Sequence, residues 1–478
     1  VAPADALRAA AAAALGQRLA REAATWLPDD LAARRLAIRP AQAAVLLAMA
    51  VLTLLALAAS GAPRSAAMLA LGFFFLLAVA ARLASTLAAR DEPPDAPPLA
   101  ERDLPRYAVV VAMHREEDVV ADLVAALARL DYPREKLRVS LVVEEDDAPT
   151  RAALAALRLP AHMEVVAVAP GRPRTKPRAL NVALAACDAE LLVIYDAEDR
   201  PAPDQLRKAA ARFAVAPANL ACLQARLAID NARESLVTRL FALDYAGLFE
   251  IANPGLAALG WPMLLGGTSN HFRVSTLRAL GGWDACNVTE DADLGLRLAR
   301  AGYGVETLRS VTWEEAPVTL SAWAQQRRRW LKGWMQTALV HTRDLRGLWR
   351  RLGPERALAI LATLGGGLLG ALFGPLFALR VALDAARGDL LRVDTALDVA
   401  ATAVSLTLIV FAPICAILPP ALGASRARLT GLLRAAPLLP LYHLLVSWAA
   451  WRGLIELARD PHRWAKTRHG VSRARSAN

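Results

Sequence analysis

Apolar residues are spread unevenly along the chain, and their pattern divides it before any motif is read. Residues 41–60 and 66–84 are nearly continuous apolar runs, each about long enough to span a bilayer, with a tight Gly-Ala-Pro-Arg-Ser hairpin predicted at 61–65. From 106 to about 315 the texture changes. Short β-type runs (YAVVVAM, LRVSLVVEE, MEVVAVA, AELLVIYDAED) alternate there with amphipathic helical stretches such as VVADLVAALARL and DQLRKAAARFA. That alternation predicts βαβ units on a parallel sheet, with ligands at the carboxyl ends of the strands. Long apolar runs return at 357–379 and 396–418. In a further run, 437–457, His443, Ser447, Arg452 and Glu456 recur every four or five positions. The stripe predicts a helix lying in the membrane interface, and a fifth span is the other reading.

The resulting division is an N-terminal helical segment (1–40), two transmembrane helices (41–84) and a Pro-rich linker (91–105). An α/β domain (106–315) follows, then interfacial helices (316–345), two further transmembrane helices (357–379, 396–418), the interfacial helix (437–457) and a basic tail (458–478). Charge orients it. Arg34, Arg35 and Arg39 precede the first span, while Arg82 and Arg90 end the second, which puts both ends in the cytoplasm. The segment around 380–395 is electrically balanced and reads as external. The next one carries Arg426, Arg428 and Arg434 without an acid and reads as cytoplasmic. The expectation is a multi-pass protein of the inner (plasma) membrane with its α/β domain in the cytoplasm.

Composition agrees: 56% of the 478 residues are hydrophobic and the formal charge is +11. Basic excess in a membrane protein marks cytoplasmic loops and contact with anionic lipid. No DNA or RNA module is visible, so no nucleic-acid partner is expected. Cys187, Cys222, Cys286 and Cys415 are scattered without CxxC spacing, which argues against a zinc site or a disulfide framework. The first apolar run begins only near residue 41, behind a charged helical stretch, so no cleavable signal peptide is expected.

Candidate chemistry sits where strands end. Leu191 to Asp199 runs an apolar strand straight into Asp196, Glu198 and Asp199, oxygen donors suited to a hard divalent cation shared with a diphosphate. Val142 to Asp147 makes a second acidic strand end. A solvated acidic loop is the competing reading of either cluster alone. The clusters belong to an ordered set, however: Lys176-Pro-Arg-Ala-Leu-Asn181, Asp196-Ala-Glu-Asp199, Gly266-Gly-Thr-Ser-Asn270, Val288-Thr-Glu-Asp-Ala-Asp-Leu294 and Gln326-Arg-Arg-Arg-Trp330.

In that order these segments resemble the inverting family-2 glycosyltransferases of the cellulose- and hyaluronan-synthase type, over about 105–345 and the flanking membrane helices. The resemblance implies an α/β GT-A (Rossmann-like) cytoplasmic domain plus an α-helical transmembrane region with interfacial amphipathic helices. It implies Mg2+ or Mn2+ held by Asp196, Glu198 and Asp199, where Glu198 departs from the usual Asp-x-Asp. Nucleotide-sugar contacts would come from Glu145 or Asp146, Lys176, Asn181, Asp196 and Arg329. Asp291, beside Glu290, would be the general base. Gly266, Gly267, Thr268, Gln326 and Trp330 would meet the acceptor. Lys466 and Thr467 fall where the family has a gating segment, although the surrounding residues differ. Arg327, Arg328, Lys332 and Trp334 carry no such assignment and read as interfacial anchors.

The function implied is transfer of a sugar from a UDP-sugar to a growing β-linked polysaccharide acceptor, extruded through the bilayer, with periplasmic export partners possible. A non-processive transferase acting on a polyprenyl-phosphate or other lipid is the first alternative. The second is a surface-assembly or receptor component whose transferase domain is regulatory rather than catalytic.

Overall fold

The computed structural model describes residues 16–90 and 95–463; Lys466 and Thr467 lie outside them. Eight strands form one mixed sheet in the order β3-β2-β1-β4-β7-β6-β8-β5. They are β1 (Tyr107–Met113), β2 (Leu137–Glu144), β3 (Met163–Val168), β4 (Leu191–Tyr195), β5 (Arg200–Pro201), β6 (Leu220–Ile229), β7 (Asn270–Arg273) and β8 (Gly304–Glu314). Strands β3, β2, β1 and β4 are mutually parallel, and β6 is parallel to β8, whereas β7 runs antiparallel between β4 and β6. Both faces are covered. Along β1, Tyr107, Val109 and Val111 enter one core layer while Ala108 and Val110 enter the other. This is the period-two alternation of a strand buried on both sides, and it explains the near-continuous apolar runs in the sequence.

Among the described residues, five helical segments are long and apolar enough to cross a membrane: Pro40–Ala58, Gly61–Ala88, Leu345–Arg387, Ala396–Arg426 and Thr430–Arg459. The run expected at 357–379 extends as a helix to Arg387, and the one at 396–418 extends to Arg426. The helix Leu439–Arg459, expected in the interface, packs along both Leu320–His341 and Gly366–Arg387. The α/β domain meets the bundle at bare backbone. A Cβ on Gly423 would fall 2.2 Å from the Ala246 carbonyl oxygen, and one on Gly255 would fall 1.7 Å from that of Ser85.

Residues 16–36 dock on the α/β domain rather than standing apart. The Ala33 amide donates to Asp284 at 2.6 Å, and Arg343 donates to the carbonyls of Asp29, Ala32 and Arg35.

The helix Leu320–His341 lies between the sheet and the bundle, and its basic residues correct the anchor expectation. Lys332 is fully buried, donating to Glu456 Oε1 at 2.8 Å and to the Arg463 carbonyl at 2.6 Å. Arg328 Nε reaches Glu456 Oε2 at 2.8 Å. Two cations therefore share one carboxylate on the last helix instead of facing lipid headgroups. Removing one partner of a buried ion pair typically costs about 3–5 kcal/mol, because the remaining charge is stranded. Glu456→Ala is expected to lower the unfolding midpoint in detergent by a cost of that order, and an unchanged midpoint would show that the clamp does not hold the two helices together.

Candidate functional site

The carboxyl ends of the parallel strands and the loop that enters β7 converge on one cavity of about 1200 Å³. Its polar end is lined by Lys176, Asp196, Glu198, Gly266, Gly267, Thr268, Glu290, Asp291, Gln326, Arg329 and Trp330. Each was singled out in the sequence, and the fold brings them together from five separate segments. The topology accounts for this: β4 ends at Tyr195 and hands Asp196 to the edge of the sheet, while Ile194 of β4 pairs with Asn270 of β7 and so sets the Gly266–Thr268 turn beside it.

Asp196 is the pivot. One of its oxygens accepts from Lys176 Nζ, which also donates to the Gly267 carbonyl at 2.7 Å. Burial pulls the Lys176 ammonium down, but the neighbouring Asp196 and Glu290 carboxylates outweigh it and hold the pKa above the usual lysine value. Gly267 is pinched between two acids. A Cβ there would stand 3.4 Å from Asp291 Oδ2 and 3.9 Å from Asp196 Oδ2, so any side chain would crowd the space both carboxylates face. Gln224 braces this turn, accepting from the Gly266 amide at 2.8 Å and donating to the Thr268 carbonyl at 3.0 Å.

Asp291 opens the helix Glu290–Arg300, and its Oδ1 accepts from the Ala292 amide at 2.8 Å. Burial raises its pKa to about 6, and raises that of Glu290 to about 7 with help from the Asp291 charge. The helix is held by a separate ionic group. Asp293 takes Arg297 at 2.7 Å and His341 at 2.9 Å, which ties it to the far end of Leu320–His341.

Several expected residues take other places. Asp199 does not line the cavity. Only 1% exposed, it accepts from the Asp196 amide at 2.7 Å and from the Thr268 hydroxyl, so it braces the turn that presents Asp196. Burial, with Asp196 and Glu198 nearby, raises its carboxyl well above the ordinary range. Asn181 is also fully buried away from the cavity, stapling Trp283 and the Ala23 carbonyl. Glu145 and Asp146 are exposed and outside the cavity lining, with Asp146 paired to Arg174. The acid of that cluster that reaches the cavity is Glu144, last residue of β2, whose two carboxylate oxygens both accept from Nη2 of the buried Arg178, at 2.8 and 2.7 Å. The strand ends at Glu144 and the chain turns outward at Glu145 and Asp146, so the sequence could not choose among the four acids without knowing where the strand stops.

The sequence also missed Arg327 and Glu314. Arg327 is 6% exposed, bonded to Asp244 at 3.0 Å and to the Tyr442 hydroxyl at 2.8 Å, and lies 5.0 Å from the Trp330 ring. It fills an aromatic box that also includes Phe241 and Trp323, and so fixes the ring of Trp330. Glu314 ends β8 and lines the cavity, with burial and the Asp199 and Asp196 charges raising its pKa well above normal. The signal was present but weaker, since a strand of mixed apolar and polar residues there runs into Glu314-Glu315, whereas β4 runs fully apolar into Asp196.

Asp196 and Glu198 present hard oxygen donors of the kind Mg2+ or Mn2+ prefers. Among the described residues, no three His, Cys, Asp or Glu side chains close around one point. A cation here would need further ligands from a diphosphate and water, the usual arrangement for Mg2+.

Residues 105–333 match the family model described as "Glycosyltransferase like family 2". Among curated relatives, the "Probable glycosyltransferase YdaM" of Bacillus subtilis is 26% identical over 241 residues, covering 48% of this chain and 56% of the relative. The "Beta-monoglucosyldiacylglycerol synthase" of Synechocystis sp. is 31% identical over 264 residues, covering 52% and 53%. The chain thus spans about half the length of the curated relatives it matches. Among solved structures, the mannosyltransferase PcManGT of Pyrobaculum calidifontis, in complex with GDP-Man and Mn2+, aligns with a TM-score of 0.49 at 20% identity over 78% of this chain and 99% of that one. Residues 105–333, built on a GT-A-like mixed α/β sheet, therefore match the family-2 glycosyltransferase model, in a chain that also carries several long apolar helices.

Proposed function

We propose that this protein is an inverting membrane glycosyltransferase that moves one sugar from a UDP-sugar to the hydroxyl of a diacylglycerol-type lipid. One observation carries the choice of acceptor. The cavity that holds the acids continues into the helix bundle, where its walls become Phe75, Val79, Leu368, Ala371, Leu408 and Ile409 with their apolar neighbours. A sugar polymer threaded there would leave hydroxyls without partners, at about 1–3 kcal/mol for each buried unsatisfied group, whereas a hydrocarbon chain needs none. The relative named "Beta-monoglucosyldiacylglycerol synthase" supports the same reading. The processive polysaccharide synthase expected first in the sequence has less support than its lipid-acceptor alternative.

The chemistry follows from the site. The acceptor hydroxyl would lie beside Asp291, whose carboxylate takes its proton as the oxygen attacks the anomeric carbon. The bond from that carbon to the diphosphate breaks on the opposite face, and the electron pair leaves with the UDP. Lys176 and Arg329 supply positive charge at the cavity where that negative charge collects. Asp196 and Glu198 would hold the Mg2+ or Mn2+, which when bound neutralises the departing diphosphate. Trp330, fixed by Arg327, offers an apolar floor at the acceptor end. The long apolar helices fit a multi-pass protein, with the α/β domain on the cytoplasmic side where nucleotide sugars are found.

A general base contributes about 10²–10⁴-fold. Asp291→Asn is expected to lose activity by about that factor while still binding UDP, and retained turnover would remove Asp291 from the role. The base must be ionised to work. With the pKa of Asp291 raised to about 6 and that of the adjoining Glu290 to about 7, kcat/KM should fall as the pH drops through this range. A rate that stays flat down to pH values where an ordinary aspartate titrates would contradict the assignment. With UDP-sugar and lipid vesicles, the product should be an organic-extractable monoglycosylated lipid. A polymer that sugar hydrolases degrade would restore the processive reading.

A further inference from the structure

In the membrane part of the cavity, three glycines leave a stretch of one helix without side chains. Gly367, Gly370 and Gly374 of the helix Gly366–Arg387 all line the cavity, and their spacing of three and four places them on one face. Glycine in a membrane helix usually marks close approach of another helix. Other glycines of this bundle do so: a Cβ on Gly72 would fall 2.4 Å from Val404, and one on Gly366 would fall 2.6 Å from the Ala78 Cβ. At Gly367, Gly370 and Gly374 a Cβ would meet nothing within 4 Å. A glycine in a helix interior is less favourable than alanine, and at these three positions no neighbouring helix comes close enough to offset that. The space they leave belongs to something else.

A second observation points to a ligand with a polar head. Gln326 lines the catalytic end of the same cavity and is 7% exposed, yet its Oε1 has no hydrogen-bond partner among the described residues. A buried carbonyl oxygen left this way costs free energy until a donor reaches it. The cavity thus offers an unfilled acceptor at its polar end and a smooth apolar wall deeper in.

We propose that Gly367, Gly370 and Gly374 form the slot that receives one acyl chain of the lipid acceptor, and so determine which acyl chains the enzyme accepts. The inference rests on the lipid-acceptor reading above. Leu408, Ile409 and Ala412 of the helix Ala396–Arg426 line the same cavity and supply further apolar surface for the chain. Donor chemistry at Asp196 and Asp291 draws on different segments of the protein.

The test uses the full chain in detergent micelles or nanodiscs. Transfer from UDP-sugar to dioleoylglycerol and to dioctanoylglycerol is measured for the wild type, Gly370→Leu, Gly374→Leu and the milder Gly370→Ala. The readout is the ratio of the two rates. A leucine should block the long chain more than the short one, lowering the dioleoyl-to-dioctanoyl ratio by about tenfold or more, with a smaller shift for alanine. A variant that merely folds poorly loses both activities together and leaves the ratio where it was. A ratio unchanged in all three variants overturns the slot while leaving the lipid-acceptor reading intact. A wild type that glycosylates neither diacylglycerol, but acts on a polyprenyl phosphate or makes polymer, overturns both.

Discussion

A cleft full of carboxylates has to be set directly against hydrocarbon, and the helix Leu320–His341 is where the two are joined. Its cleft-facing side packs so closely that a Cβ on Gly333 would stand 2.3 Å from the Thr289 hydroxyl oxygen. Gln336 accepts from the Val288 amide at 3.0 Å, and the Thr337 hydroxyl accepts from the Asn287 side-chain amide at 2.9 Å. These contacts hold the segment that leads into Glu290 and Asp291. From its other side the helix reaches the bundle through Arg328, Lys332 and Glu456. The positions of Gln326, Arg329 and Trp330 follow from that double attachment, since a rigid helix gripped at both sides leaves them little freedom.

The electrostatics of the cleft have a direction. Asp196, Glu198, Glu290, Asp291 and Glu314 line it against Lys176 and Arg329, with Asp199 behind. Burial and mutual repulsion raise several of these carboxyls above their ordinary range, so the acids are easier to protonate than free ones. A bound cation would relieve that repulsion, and the diphosphate of a donor would find Lys176 and Arg329 already in place. Such preorganisation costs stability before ligand arrives and lowers the reorganisation needed during reaction.

Much of this was legible in the sequence, for identifiable reasons. Apolar runs of bilayer length need no partners to be recognised, and a strand that ends in acids, as at Tyr195-Asp196, states its own orientation at the sheet edge. What the sequence hid depends on contacts between distant residues. Asp199 and Asn181 look like ligands in one dimension, but the fold turns both inward to brace turns. Glu144 could not be told from Glu145 and Asp146 until the end of β2 and the buried Arg178 partner were known. Arg327 and Lys332 looked like headgroup anchors because basic residues beside tryptophan in an amphipathic helix have that composition. Which way they point is decided by Asp244 and Glu456, on helices far away in the chain.

Photo-crosslinking would locate the lipid acceptor on the protein. The protein would be irradiated in nanodiscs containing a diacylglycerol that carries a diazirine on one chain, and the adducts mapped by mass spectrometry. Adducts should fall on cavity-lining positions such as Ala371 and Ala378 of Gly366–Arg387 and Ala412 of Ala396–Arg426. They should also be lost when an excess of unlabelled diacylglycerol competes. Adducts confined to the outward-facing Leu379, Leu383 and Phe411, and insensitive to competition, would place the lipid around the bundle rather than inside it and contradict the account.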